Sequence, residues 1–488
     1  MFNLLNYLED SAKRFPDKTA FADEKESLTF AQLRETGLGV GAAIAKNIND
    51  INRPVAVLSR HSVCDIAAFM GALYAGCFYI PLDGAAPAEF TAQRLSAVEP
   101  AMTIDARTLA DLPRGAPDPA LMEATRSRVL STDPAYAIFT SGSTGAPKAA
   151  LVSHGSVVNL AEWFFETFGF SGRTVIAAQA PFYFDASVKE IYSTLRNGCT
   201  TYLLPKKLFI SPLKVMRFVG DAGANVLPWA AAAVKLIANS GVFEQYVPDG
   251  VEEVIFGGEN MPSNALNIWK KAMPHTRFTN VYGPSETTVD SSYYIVGREL
   301  TDGVSVPIGR PCRNTGLLLL DENGKPVEDG EPGELFIRGA GVGLGYYGDP
   351  ERTAAAFVQN PLNPLYRDIV YRTGDIMKKN ESGDLVFLAR ADDQVKHMGS
   401  RIELGEVESA AAGIEGVRLV FCAYDKEALK IIMFYEGSVT EKDITLALGV
   451  GLPRYMCPNI VVKLETMPVT PNGKIDRVRV KEEYFGQK

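Results

Sequence analysis

Apolar positions from Leu4 to Phe15 recur at helical spacing and Pro16 ends the pattern, so the chain opens on an amphipathic helix. Ser27 to Phe30 then reads as a strand running into the helical segment AQLRETGLGVGAAIAK. The alternation repeats. PVAVLS is followed by a helix from Ala67 to Tyr74 and by CFYIPLD, and TVIAAQA is followed by SVKEIYSTLRNG and TTYLLP. Strands alternating with helices predict α/β layers. From about Leu317 the runs shorten to LLLLD, GELFIRG and GDLVFLAR, separated by turn sequences such as DENGK and NESGD, which predicts a β-rich subdomain.

Arg390-Ala391-Asp392-Asp393 carries no apolar pattern, and RIELGEVESAAAGI, VRLVFCAY and LKIIMFYE beyond it read as a helix with strands. A domain boundary is placed at Asp392, giving residues 1–391 and a smaller 392–488. A length of 488 residues also favours more than one domain.

Composition narrows the function classes. With 46% hydrophobic and 22% charged residues the chain reads as an ordinary globular protein. A net charge of -9 argues against nucleic acid or an anionic membrane as partner, and no apolar run approaches membrane-spanning length. The six cysteines are scattered without a CxxC pair, so free thiols in a reducing cytoplasm are expected rather than zinc or disulfides. Histidines 61, 154, 275 and 397 form no cluster and read as structural or surface residues.

The richest chemistry lies in Phe139 to Val152, FTSGSTGAPKAALV. Gly142 and Gly145 let the backbone approach a polyanion, Thr140, Ser141, Ser143 and Thr144 supply hydroxyls, and Lys148 supplies charge. The spacing is not that of a Walker loop. Taken alone it also fits a flexible connector.

Other segments, in order along the chain, are CFYIPLD, FYFDASVKEIY, IFGGENMP, NVYGPSETT, GELFIRGAGVGLGYYGDPERTAAAF, YRTGD, VFLARADDQVKHMGSRIELGEVE and PVTPNGKIDR. Together with the hydroxylated loop they resemble the adenylate-forming enzymes, and among them the amino-acid adenylation domains of nonribosomal peptide synthetases and the D-alanine:carrier-protein ligases. The resemblance runs nearly end to end. It implies a large N-terminal domain of two α/β subdomains with a small β-barrel, and a small mobile α+β C-terminal domain. It also implies a reaction in two halves: ATP and a carboxylate give an acyl-adenylate and pyrophosphate, then a thiol displaces AMP.

By the same resemblance Lys148 and its loop would hold the β- and γ-phosphates, Ser285 would donate to phosphate, and Glu286 would help place Mg²⁺. Tyr282 would stack on adenine, Asn280 would bond its edge, and Asp375 and Arg390 would serve the ribose. Without its neighbours Asp375 reads as a turn residue after Gly374. Lys474, otherwise an exposed turn lysine, would bridge the substrate carboxylate and the α-phosphate, with Asp392 as the hinge that later withdraws it. Three departures stand out: Ala149 where relatives commonly have Gly, Phe387 and Ala389 beside the ribose, and His397-Met398 in place of Ile-Arg.

The substrate side follows residue by residue. Asp185 would pair with an α-ammonium group, the alternative being a cap on the helix that starts near Ser187. Ala186, Lys189, Val226, Ile255, Gly257, Gly258, Val281, Val289 and Asp290 would line the pocket, closed by Lys474. Lys189 shares a helical face with Asp185, and Asp-Ala-Lys with Gly-Val-Val-Asp is similar to glutamate-activating domains. Glutamate is the expected substrate. Asp290 could instead neutralise Lys189 and leave room for glutamine, or the two could form an exposed salt bridge that selects nothing. D-Alanine, an acyl- or aryl-CoA ligase activity and a non-catalytic nucleotide-binding subunit are the remaining alternatives. No GGxS carrier segment follows Lys474, so the acceptor is expected to be a phosphopantetheinylated carrier protein in trans, or the chain an excised module.

Overall fold

The computed structural model describes residues 3–48, 50–111, 125–140, 147–297, 305–391, 394–397, 399–426, 428–470 and 475–485. Ser141, Gly142, Ser143, Thr144, Gly145, Asp392 and Lys474 lie outside the described residues. The chain divides into two compact units. One comprises Met1–Gly84, Val98–Phe139 and Ala149–Ala391, and the other Ala85–Ala97, Thr140–Lys148 and Asp392–Lys488.

The larger unit is built on two mostly parallel sheets, as the strand–helix alternation requires. The nine-stranded sheet runs in the order Arg310–Pro311, Ser292–Ile295, Arg277–Tyr282, Glu253–Gly257, Val226–Ala230, Val175–Ala178, Thr200–Leu203, Thr19–Ala22, Ser27–Thr29. Its inner strands are parallel, and antiparallel strands finish both edges. The six-stranded sheet has the order Gly345–Tyr346, Lys148–Ser153, Pro134–Thr140, Phe78–Asp83, Pro54–Ser59, Met102–Ile104. Helices Phe30–Asn47 and Val63–Tyr74 pack so closely that a Cβ on Gly41 would stand 2.7 Å from that of Tyr74. The second of these helices starts at Val63 rather than Ala67, because Asp65 accepts the Ser62 N–H at 2.9 Å and fixes an earlier first turn.

The expected β-rich part is a five-stranded sheet containing Thr315–Leu320, Gly333–Gly339 and Leu385–Arg390. Its longest strand, Ile369–Lys379, carries Gly374 at φ 74°, where the register against Gly333–Gly339 shifts. Asp375 therefore sits in a bulged strand and not in a turn.

In the smaller unit, strands Val417–Asp425, Lys430–Gly437 and Ile460–Lys463 alternate their side chains between two cores. Phe421, Ala423, Ile432 and Phe434 pack with Met467 and Val480 on one face. Cys422, Ile431, Met433 and Tyr435 pack on the other with helix residues Val407 and Ile444, and with Phe90.

Candidate active site

Three parallel strands of the nine-stranded sheet, Val226–Ala230, Glu253–Gly257 and Arg277–Tyr282, bring Val226, Ile255 and Val281 into one buried cluster with Val289 and Cys312. Gly257 faces Val281, and a Cβ at Gly257 would lie 2.3 Å from the Val281 carbonyl oxygen, so the strands can close here only on glycine. Gly258 follows at φ 88°.

Helix Ala186–Asn197 lies against this cluster through Val188 and Ile191. Asp185 precedes it in helical backbone geometry and makes no side-chain cap, which removes the capping explanation for this residue. Burial pushes the Asp185 carboxyl above its usual range, opposed by a hydrogen bond from Ser285 and by the charge of Lys189. Ser285, expected at phosphate, is thus engaged with Asp185.

One turn along, the Lys189 ammonium donates to both oxygens of Asp290, at 3.2 and 3.1 Å. Their side chains are 8% and 4% exposed, so this is no surface salt bridge. Burial raises the Asp290 carboxyl although Lys189 opposes the shift.

Asp290 is aimed by an unusual piece of backbone. Thr288 and Val289 both hold positive φ, 61° and 69°, which β-branched residues rarely adopt, and the Asp290 N–H turns back to the Thr288 carbonyl at 2.9 Å. Such strain persists only where neighbours over-determine it. Here the Thr288 hydroxyl donates to Gly341 O at 2.6 Å, Thr287 and Ser291 share a 2.7 Å hydroxyl contact, and Ser291 N–H closes on Tyr282 O at 2.7 Å. Gly283 is obligatory in this loop, since a Cβ there would meet Val289 O at 2.3 Å.

The same loop carries Glu286, which is completely buried and accepts a 2.8 Å hydrogen bond from Tyr346. Asp375 pairs across the sheet with Arg390, whose Nη1 donates to it at 2.7 Å and to Thr373 O at 2.9 Å. The Tyr282 hydroxyl donates to the other carboxylate oxygen. Burial, then the charge of Asp375, raise the Tyr282 titration and keep it a donor. Asn280 is buried, and its amide donates to Pro307 O at 2.7 Å and Val306 O at 3.4 Å, which leaves its carbonyl oxygen for other use.

Residues 8–347 match the family of AMP-binding enzymes. The chain belongs to that family. Surfactin synthase subunit 1 of Bacillus subtilis (strain 168) is 33% identical over 500 residues, covering 96% of this chain, which spans 14% of that protein's length. Among solved structures, holo-PA1221, an NRPS protein containing adenylation and PCP domains, superposes with a TM-score of 0.82 at 24% identity over 99% of this chain and 84% of that one. IdnL1 superposes with a TM-score of 0.80 at 27% identity over 96% of this chain and 99% of that one. The α/β class expected from the alternation is therefore that of solved adenylation proteins.

Within this AMP-binding enzyme, Thr140 is buried at the end of the strand Pro134–Thr140, and Lys148 opens the strand Lys148–Ser153. Ala149 is buried and outside the positive-φ region, so the replacement of Gly costs nothing in backbone strain. His154 is buried and its pKa falls to about 4 through burial, while His397 packs edge-on against Tyr424. Four of the six cysteines are buried, and Cys64 and Cys457 are intermediate. Among the described residues no helix is long and apolar enough to span a membrane, and no three His, Cys, Asp or Glu side chains cluster as metal ligands.

Sequence reasoning missed Tyr346 and Glu190. Glu190 is buried and accepts the Gln179 N–H at 3.2 Å, within the segment that leads to Asp185. Burial raises its pKa to about 8. A glutamate at the core-facing position of an amphipathic helix was the signal available for it.

Proposed function

We propose that this chain activates an amino acid, glutamate first, by ATP-dependent adenylation and passes the acyl group to the phosphopantetheine thiol of a carrier protein. The observation that carries the reading is the buried Lys189–Asp290 pair, with Lys189 one helical turn from Asp185 on a helix whose Val188 and Ile191 join the cluster of Val226, Ile255, Val281 and Val289. Asp185 makes no helix cap and would receive the α-ammonium, which would compensate its burial. Lys189 has three N–H donors. With two contacts spent on Asp290, it would offer the third to the substrate's side-chain carboxylate.

On the nucleotide side, Asn280, Tyr282, Asp375 and Arg390 would seat the adenosine, and Thr140, Ser141, Gly142, Ser143, Thr144, Gly145 and Lys148 the β- and γ-phosphates. Glu286 fits Mg²⁺, because a single buried carboxylate oriented by a tyrosine suits an ion whose other ligands are phosphate oxygens and water. That ion would neutralise phosphate charge. Lys474 would stabilise the charge that builds as a carboxylate oxygen attacks the α-phosphorus and the bond to the β-phosphate breaks. Release of pyrophosphate would be followed by rotation about Asp392, thiol attack on the acyl carbon and departure of AMP. The reaction would take place in the cytoplasm.

Glutamine is the second reading, favoured by the fact that Asp290 already neutralises Lys189. Asp185 speaks against a simple acyl- or aryl-CoA ligase, since such acids carry no ammonium group. The test is amino-acid-dependent exchange of labelled pyrophosphate into ATP across the proteinogenic amino acids plus D-alanine, with and without Mg²⁺. A dominant response to glutamate is expected. A response confined to D-alanine would keep adenylation and overturn the pocket reading, and silence across the panel would shift weight to a non-catalytic subunit.

A further inference from the structure

Glu190 is buried on the helix Ala186–Asn197, next to Lys189, and its two carboxyl oxygens have unequal surroundings. One accepts the N–H of Gln179 at 3.2 Å and that of Ala180 at 3.5 Å. The other is buried with no hydrogen-bond partner among the described residues. A carboxyl oxygen left this way is costly, and an apolar side chain of similar size would pack here without that cost. A group of this kind in a native interior needs a reason in what it holds.

Glu190 holds the start of the segment that ends at Asp185. Gln179 and Ala180 follow directly on the strand Val175–Ala178, and Asp185 opens the helical geometry of Ala186–Asn197. Because Glu190 lies on that helix, its contact with Gln179 and Ala180 ties the entrance of the segment to its exit. The Gln179 side chain extends the tie sideways: its carbonyl oxygen accepts the Ala230 N–H at 3.1 Å, at the end of the strand that begins with Val226. Between these anchors the Ser187 hydroxyl donates to Phe184 O at 2.8 Å, and the Phe182 ring stands edge-on to His61 and Phe69, with centroids 4.8 and 5.5 Å apart. Asp185 makes no cap of its own, so the course of this segment decides where its carboxylate stands.

We propose that Glu190 is a positioning residue for the α-ammonium group of the substrate, acting through Gln179 and Ala180 to set the Asp185 carboxylate. The proposal rests on the reading of Asp185 above and is indifferent to the substrate's side chain, since every α-amino acid carries the ammonium group. Adjacent residues thus serve different ends of the substrate: Lys189 the side chain, Glu190 the α-amine. A displacement of about 1 Å in a binding group is enough for a large loss of rate. Leucine at position 190 keeps the volume and removes the acceptor. Glutamine keeps an acceptor for the two N–H groups, and it matches the native group in charge, because burial raises the Glu190 pKa to about 8 and leaves the carboxyl mostly neutral at pH 7.

The experiment measures KM for glutamate, alanine and Mg–ATP by pyrophosphate exchange at pH 7 in the wild-type protein, Glu190→Leu and Glu190→Gln. Glu190→Leu should raise KM for glutamate and for alanine alike, by about 10- to 100-fold, and leave KM for Mg–ATP unchanged. Glu190→Gln should restore the wild-type values. If Glu190→Leu does not fold, Gln179→Met decides instead: it removes only the side-chain tie to Ala230 and should show the same split, severalfold in size. Unchanged amino-acid KM values in the deciding variant, an equal rise in KM for Mg–ATP, or a Glu190→Gln protein as impaired as Glu190→Leu overturns the proposal while the glutamate assignment stands. If the wild-type protein prefers another amino acid, the glutamate assignment fails and KM for that amino acid decides the proposal in the same way. Wild-type silence with every amino acid overturns both.

Discussion

Asp375 and Asp290 are both buried carboxylates facing a cation, yet they are neutralised in different ways. Asp375 is held by two kinds of donor: the planar Arg390 guanidinium, itself bonded to Thr373 O, takes one oxygen and the Tyr282 hydroxyl the other. Asp290 has both oxygens on the single Lys189 ammonium. A guanidinium is rigid and always charged, whereas an ammonium is a compact point charge with rotatable donors. The first arrangement suits a constant partner such as a ribose. The second suits a variable one, because the ammonium can reapportion its donors when a ligand arrives.

Removing the lysine should separate the two regions most sharply. Lys189→Leu should cut kcat/KM for glutamate by about 1,000-fold and that for alanine far less, as measured by pyrophosphate exchange. It should also destabilise the fold by about 3–5 kcal/mol, because Asp290 is left buried without a cation. The double variant Lys189→Leu/Asp290→Leu should regain the lost melting temperature without regaining glutamate use. Equal losses for glutamate and alanine would sink the assignment of Lys189 as selector.

Glu190 extends the comparison to a buried carboxyl that, among the described residues, is bonded only to backbone N–H groups. Its folded-state pKa, about 8, is above its ordinary 4.5, so the folded protein holds a proton that the unfolded chain releases. Stability from this group is full below about 4.5 and is lost as pH rises through about 8. The Glu190→Gln variant cannot lose it. Its unfolding free energy should match wild type near pH 5 and exceed it near pH 9, by on the order of a few kcal/mol, read by denaturant unfolding. A constant offset across that range would show that Glu190 does not titrate.

What could be read from the sequence follows the range of the forces involved. Strand–helix alternation is local, so the α/β layers and the β-rich segment were legible, down to Ser27–Thr29 running into Phe30–Asn47. Ile369–Lys379 was not legible as one strand, because Thr373-Gly374 breaks the pattern with a bulge that only the partner strand explains. Lys189 and Asp290 are 101 positions apart, and only the family register brought them together. Even so, the register could not tell a buried pair from an exposed one. Tyr346 looks like a core aromatic in sequence. Its interest comes from its hydroxyl ending up on Glu286, which periodicity does not encode.

Tyr346 tests whether the nucleotide-side region depends on orientation as well as charge. Tyr346→Phe removes one donor to Glu286 and leaves the carboxylate itself in the protein. The Mg²⁺ concentration that half-saturates exchange should rise about tenfold, as is usual when a partner behind a metal ligand is removed. Calorimetric titration of Mg–ATP should show a matching loss of affinity, and an unchanged Mg²⁺ requirement would separate Glu286 from the metal.

Tyr282→Phe should have the smallest effect, and for a reason the comparison supplies. Asp375 would lose one donor but keep Arg390, which is anchored independently on Thr373 O, so the carboxylate stays in place. The stability loss should be about 1–1.5 kcal/mol, the net worth of one hydrogen bond, read by denaturant unfolding. KM for ATP should rise only severalfold, since the aromatic face is retained. A loss as large as that of Lys189→Leu would mean that Tyr282, and not Arg390, holds Asp375, and the contrast between the two carboxylates would fall.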